Sequence, residues 1–142
     1  MKIYADSSVF VSHYIQDRHS EKLDPRIVER PLLWCSPIHK AEIGNAIFQH
    51  VFYRKMSLDD ALILWNDFEE DCAIGIWIAM DLSSRAWETS VDLARRFGPK
   101  LGVRTLDSLH VACALELKAE RFWTFDERQS RLAEAVGLDT NS

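Results

Sequence analysis

Apolar residues fall along the chain in short runs that switch between strand-like and helix-like spacing. Ile3–Ala5 is a short apolar strand that ends at Asp6. Ser7 and Ser8 can cap a helix carrying Val9, Phe10, His13 and Tyr14, because a short hydroxyl side chain satisfies the first free N–H groups of a helix. The stretch 20–30 is weakly helical, and Pro25 suits a helix start. Leu32–Cys35 reads as a buried strand. Ser36-Pro37 then opens a long helix to about Tyr53, with Ile38, Ala41, Ile43, Ala46, Ile47 and Phe48 available for one broad apolar face. Ser57 with Asp60 resembles a capping box at the start of a helix reaching about Asp71. Ile74–Met80 is the strongest strand signal, rich in branched and aromatic residues. Ser83 or Ser84 caps a helix to Phe97 that Gly98-Pro99 should stop. Leu106–Leu117 is an almost wholly apolar helix and is expected to be buried. Phe122–Phe125 is a last short strand, followed by Asp126 and a helix to Val136 that Gly137 ends.

Strands that alternate with helices predict an α/β/α sandwich with a mainly parallel central sheet. At 142 residues the chain is expected to form one domain, spanning 1–142. In such sheets ligands bind beyond the carboxyl ends of the strands. Asp6, after the first strand, and Asp126, after the last, fall at that edge.

Composition narrows the function classes. Hydrophobic residues at 47% and charged residues at 27% exclude a disordered chain, a collagen-like repeat and a disulfide mini-protein. A net charge of −5 argues against a broad basic face gripping duplex nucleic acid by charge alone. Cys35, Cys72 and Cys113 are odd in number and widely spaced, which favours buried thiols in a reducing compartment over a disulfide frame or zinc cage. The N-terminus has no apolar signal core, and no run approaches the roughly 18 apolar residues of a membrane span. A cytoplasmic protein without a membrane partner is expected.

Most acids, such as Asp59, Asp60, Asp67, Glu69, Glu70 and Asp71, read as capping residues and a solvated helix face. Asp6, Glu42, Asp107 and Asp126 differ because each is embedded among apolar residues. Taken singly, each has a structural reading as a cap or rim residue. Together, four carboxylates in one crevice would repel one another. Divalent cations resolve that conflict, since hard ions such as Mg²⁺ and Mn²⁺ prefer oxygen ligands. One or two such ions can activate water and stabilise displacement at phosphorus. Setting these four acids aside leaves the chain close to neutral, so the acidic balance is no objection to a nucleic-acid substrate.

Four segments carry a resemblance: Ile3-Tyr4-Ala5-Asp6-Ser7-Ser8, Ala41-Glu42-Ile43-Gly44-Asn45-Ala46, the run from Arg104 to Ala114, and Trp123-Thr124-Phe125-Asp126. In order and spacing the chain resembles the PIN-domain nucleases from about Lys2 to Leu138, and among them the VapC-like ribonuclease toxins of type II toxin–antitoxin systems. The resemblance implies a PIN-like fold and a Mg²⁺- or Mn²⁺-dependent endoribonuclease holding one or two ions. It implies a homodimer kept inactive by a cognate antitoxin protein. It places the acidic quartet on Asp6, Glu42, Asp107 and Asp126, with Asp6 and Asp107 as main metal ligands and Glu42 and Asp126 completing the site. Supporting polar residues fall on Ser8, Asn45 and Thr124. The departures are Pro25, which breaks what is often a longer second helix, and Asp81, an extra acid best read as part of a strand-end turn.

Other features read more plainly. His39 and His110 each lie three residues from a quartet acid but lack zinc-site spacing. Trp34, Trp77 and Trp123 fall in strands and read as packing residues. Arg54, Lys55, Arg95, Arg96, Lys100 and Arg104 are candidates for RNA phosphates, and Arg104, close to Asp107, is the best of them. Two alternatives stand beside the nuclease: a non-catalytic PIN-like binding module, and a phosphotransfer-type aspartate enzyme. The second is disfavoured because Ser8 stands where a dehalogenase-type site needs a second Asp, and no adjacent acid pair follows the first strand.

Overall fold

The computed structural model describes residues 2–15 and 31–140. The weak helix expected over 20–30, Pro25 included, lies outside them. Among the described residues the order is β1 (Ile3–Ala5), α1 (Ser7–Tyr14), β2 (Trp34–Cys35), α2 (Pro37–Phe52), α3 (Leu58–Ala73), β3 (Ile78–Ala79), α4 (Ser84–Leu101), α5 (Thr105–Glu116), β4 (Arg121–Trp123) and α6 (Glu127–Ala135). The chain divides into two compact units, one of Met1–Asp6 with Asp81–Ser142 and one of Ser7–Met80.

In the first unit β1 and β4 pair in parallel, with Ile3, Tyr4 and Ala5 opposite Arg121, Phe122 and Trp123. Helix α5 packs against both α4 and α6. The expectation of a buried apolar helix holds: every residue from Asp107 to Ala114 is buried. Tyr4 is fully buried, stacked on Phe122 at 5.6 Å between ring centroids. Its hydroxyl shares a 2.7 Å hydrogen bond with His110 Nδ1. A buried tyrosine hydroxyl usually finds a hydrogen-bond partner, and His110 supplies one.

In the second unit β2 and β3 pair in parallel, Trp34 opposite Ile78 and Cys35 opposite Ala79. Helix α2 packs on α1 and α3. It begins at a reciprocal cap: Ser36 Oγ accepts from the His39 backbone N–H at 3.3 Å, and the Ser36 N–H donates to His39 Nδ1 at 3.0 Å. His39, fully buried, therefore takes the role usually given to Glu or Gln. Ser57 caps α3 by accepting from the Asp60 N–H at 3.1 Å, and Ser83 caps α4 from the Ala86 N–H at 3.2 Å. Phe10, His39 and Trp77 meet edge to face in the core of this unit.

Two elements differ from the sequence pattern. The strand expected over Ile74–Met80 shrinks to Ile78–Ala79. Ile74 closes α3, Gly75 turns the chain at φ +84°, and Ile74 and Ile76 stand 68% and 45% exposed. Branched residues supply strand propensity, but a left-handed glycine among them breaks the extended backbone. Helix α4 runs past Gly98-Pro99 to Leu101 and ends at Gly102, with φ +62° and its N–H donating to the Gly98 carbonyl at 2.9 Å. Proline removes one donor, but the left-handed residue ends the helix, and that residue is Gly102.

Candidate active site

The site in the first unit grows from the ends of β1 and β4. The Asp6 N–H donates to the Trp123 carbonyl at 3.0 Å, so the strand pairing continues one step beyond β1 and fixes the Asp6 backbone. The Asp6 side chain is 1% exposed. Thr124, just past β4, donates from Oγ1 to Asp6 Oδ2 at 2.9 Å. Thr124 Oγ1 in turn accepts the Asp126 N–H at 2.9 Å. Asp126 is the N-cap of α6: its Oδ1 accepts from the backbone N–H groups of Arg128 and Gln129 at 2.8 and 3.2 Å. The capping reading of Asp126 is therefore correct for one oxygen, and the other remains for a second task.

That second oxygen, Oδ2, accepts from Arg104 Nη2 at 2.9 Å. The Arg104 guanidinium also reaches Asp107, from Nε to Oδ2 at 3.1 Å and from Nη2 to Oδ1 at 3.4 Å. Asp107 sits in the first turn of α5, where the helix dipole favours a carboxylate, and its Oδ2 also accepts the Arg104 N–H at 3.1 Å. One hydrogen-bonded chain thus joins Asp6, Thr124, Asp126, Arg104 and Asp107. Three of the four predicted acids converge in it.

The fourth acid, Glu42, lies half-buried on α2 in the second unit, where its Oε1 accepts from Ser7 Oγ at 2.8 Å. Asn45, exposed, shares its helix face three residues on. Ser8 is half-buried on α1. Sequence reasoning passed over Ser7 as a partner of Glu42; its hydroxyl, directly after Asp6, was the available signal.

The donor set consists of carboxylate and hydroxyl oxygens, which suits a hard divalent ion by chemical type. Among the described residues, however, no three His, Cys, Asp or Glu side chains are gathered closely enough to form a metal cage. The cation that holds Asp107 and Asp126 is Arg104. Its guanidinium bonds both of these carboxylates directly.

The remaining expectations sort simply. His39 and His110 serve as a helix cap and as the partner of Tyr4. Arg95 and Arg96 both reach Asp92 within α4. Asp81 is exposed, and Asp71, expected on a solvated face, instead accepts a short hydrogen bond from the Tyr14 hydroxyl. Of the tryptophans, Trp77 and Trp123 are buried, whereas Trp87 is 53% exposed. Cys35, Cys72 and Cys113 are free thiols.

The PIN-domain sequence profile matches residues 3–135. The chain belongs to the PIN-domain family. PIN domains are in general nucleases, and the match places this chain in that class; members of the family typically use divalent metals. Among solved structures this PIN domain is similar to FitAcB from Neisseria gonorrhoeae, with a TM-score of 0.68 and 15% identity over 99% of this chain and 96% of that one. That likeness speaks to the fold, and the expected PIN-like α/β class with parallel strands is borne out. No curated protein gives a significant match. Among the described residues no helix is long and apolar enough to cross a membrane.

Proposed function

We propose that this PIN domain is a Mg²⁺- or Mn²⁺-dependent endoribonuclease and the toxin of a toxin–antitoxin pair, working in the cytoplasm as a single nuclease domain. The observation that carries the reading is the hydrogen-bonded chain that links Asp6 and Asp126, beyond the ends of two parallel strands, with Asp107 in the first turn of α5, through Thr124 and Arg104. Structural carboxylates do not need to gather in this way.

Asp6 and Asp107 are the buried members and are assigned as the main metal ligands, with Asp126 completing the set. Glu42 is assigned as the fourth acid on its motif alone. A bound ion would supply Lewis acidity and activate water for hydrolysis of a phosphodiester. Thr124 orients Asp6 through its hydroxyl and holds the Asp126 backbone, so its role is positioning. Ser8 and Asn45 are assigned as supporting polar groups. Arg104, 62% exposed, can turn its guanidinium to an RNA phosphate, a planar fork well matched to phosphate oxygens.

The toxin assignment rests on the resemblance to VapC-like proteins, and the match in fold to FitAcB is consistent with it. It carries with it a cognate antitoxin and a homodimer as expected partners. The deciding assay is cleavage of a structured RNA pool with millimolar MgCl₂ or MnCl₂ against EDTA, comparing wild type with Asp6→Asn and Glu42→Gln. Metal-dependent cleavage lost in both variants, with unchanged circular dichroism, supports the reading. Cleavage retained by Asp6→Asn refutes the site. Co-expression with the product of a small neighbouring gene should restore growth if the toxin assignment is correct.

A further inference from the structure

We propose that Arg104 is a resident counter-cation that competes with the divalent ion for Asp107 and Asp126, so that the chain's own arginine sets its metal affinity. The inference rests on the metal-dependent reading above and extends it to how the site is filled.

The Arg104 side chain bonds Asp126 Oδ2 at 2.9 Å, Asp107 Oδ2 at 3.1 Å and Asp107 Oδ1 at 3.4 Å. These are the oxygens a metal ion would require from the two acids, because Asp126 Oδ1 is already committed to capping α6. A carboxylate oxygen that faces a guanidinium at this distance cannot offer the same lone pair to an ion about 2 Å away. Metal binding therefore requires the guanidinium to withdraw.

Burial makes that withdrawal feasible. Asp107 is 2% exposed and Asp126 26%, whereas the Arg104 side chain is 62% exposed. The acids are fixed, while the arginine has open solvent to move into. Asp107 also has an independent anchor, the Arg104 backbone N–H at 3.1 Å, which stays in place when the side chain leaves. The side chain is thus not needed to position Asp107, and its removal tests competition rather than folding.

The geometry also explains how acids can be gathered before any ion arrives. Three carboxylates brought together would repel, and a fork-shaped cation bonded to two of them offsets that repulsion. In this account Arg104 stabilises the metal-free protein and gives way when the ion binds.

The test is calorimetric titration of the purified full chain with MnCl₂, comparing wild type, Arg104→Gln and Arg104→Lys. Circular dichroism of each variant guards against misfolding, and the lysine variant keeps the charge and stem if the glutamine variant fails to fold. Loss of two partly exposed ion pairs predicts Mn²⁺ binding about twofold to thirtyfold tighter in Arg104→Gln, with Arg104→Lys in between. In the absence of metal, Arg104→Gln should melt at a lower temperature than wild type and gain more from added Mn²⁺. Equal affinity in all three proteins, or weaker binding in Arg104→Gln, overturns the inference while leaving the metal site standing. Binding by none of them overturns the metal-dependent reading itself, and the inference with it. Asp107→Asn, which should abolish binding, confirms that the titrated site is this one.

Discussion

Thr124→Val offers the most direct test of how the acids are held. Valine keeps the shape of threonine and removes only the hydroxyl. That hydroxyl makes two hydrogen bonds of 2.9 Å, one donated to Asp6 Oδ2 and one accepted from the Asp126 N–H. The first involves a carboxylate that is 1% exposed, and a hydrogen bond to such a charged group contributes about 1.5–3 kcal/mol. The second is an ordinary backbone bond worth about 0.5–1.5 kcal/mol. Thr124 is itself only half-buried, so water replaces part of what is lost, and a net destabilisation of about 2 kcal/mol is expected. For a chain of this length that corresponds to a melting temperature roughly 6–8 °C lower. Thr124→Ser retains the hydroxyl and should recover most of the difference. Urea unfolding followed by circular dichroism measures both variants. A Thr124→Val protein within about 0.5 kcal/mol of wild type, or a serine variant as unstable as the valine one, would refute the assignment of Thr124 as the link between Asp6 and Asp126.

Three further outcomes follow from the same structure. Tyr4→Phe keeps the stack on Phe122 but removes the buried hydrogen bond to His110 Nδ1, so urea unfolding should show a loss of about 0.5–1.5 kcal/mol. Ser36→Ala removes one half of the cap of α2 and should cost about 0.5–2 kcal/mol by the same measurement; a neutral result would mean the His39 half suffices alone. Burial, and then the nearby Cys72, pushes the Cys35 thiol from its ordinary 9.0 up to about 12, and burial pushes Cys113 to about 11. A raised thiol pKa stabilises the fold fully below pH 9.0, and that contribution is lost as pH climbs from there through the folded values. The urea midpoint should therefore fall above pH 9.0, and less steeply in Cys35→Ala; identical slopes in the two proteins would contradict the assignment.

The chain's local patterns were enough for the order of elements among the described residues, the caps at Ser36, Ser57 and Ser83 and the buried run of α5, and they singled out four acids by their motif context. Each of these depends on residues within a few positions of one another: a hydroxyl before a helix, an apolar period, a carboxylate at a strand end. The limits of Ile74–Met80 and of α4 were less legible, because a single left-handed glycine, Gly75 or Gly102, outweighs the propensity of its neighbours. The same holds for the double use of Asp126, which caps α6 with one oxygen and faces Arg104 with the other. Sequence alone identified which residues could carry chemistry, since residue type and local spacing fix what a group can do. Tertiary structure alone decided which of them touch. Thr124 bonds Asp6 across 118 positions and Tyr4 bonds His110 across 106, and Arg104 reaches Asp126 across 22. Contacts at such separations follow from parallel strand pairing and helix packing, in which no short stretch of chain holds both partners.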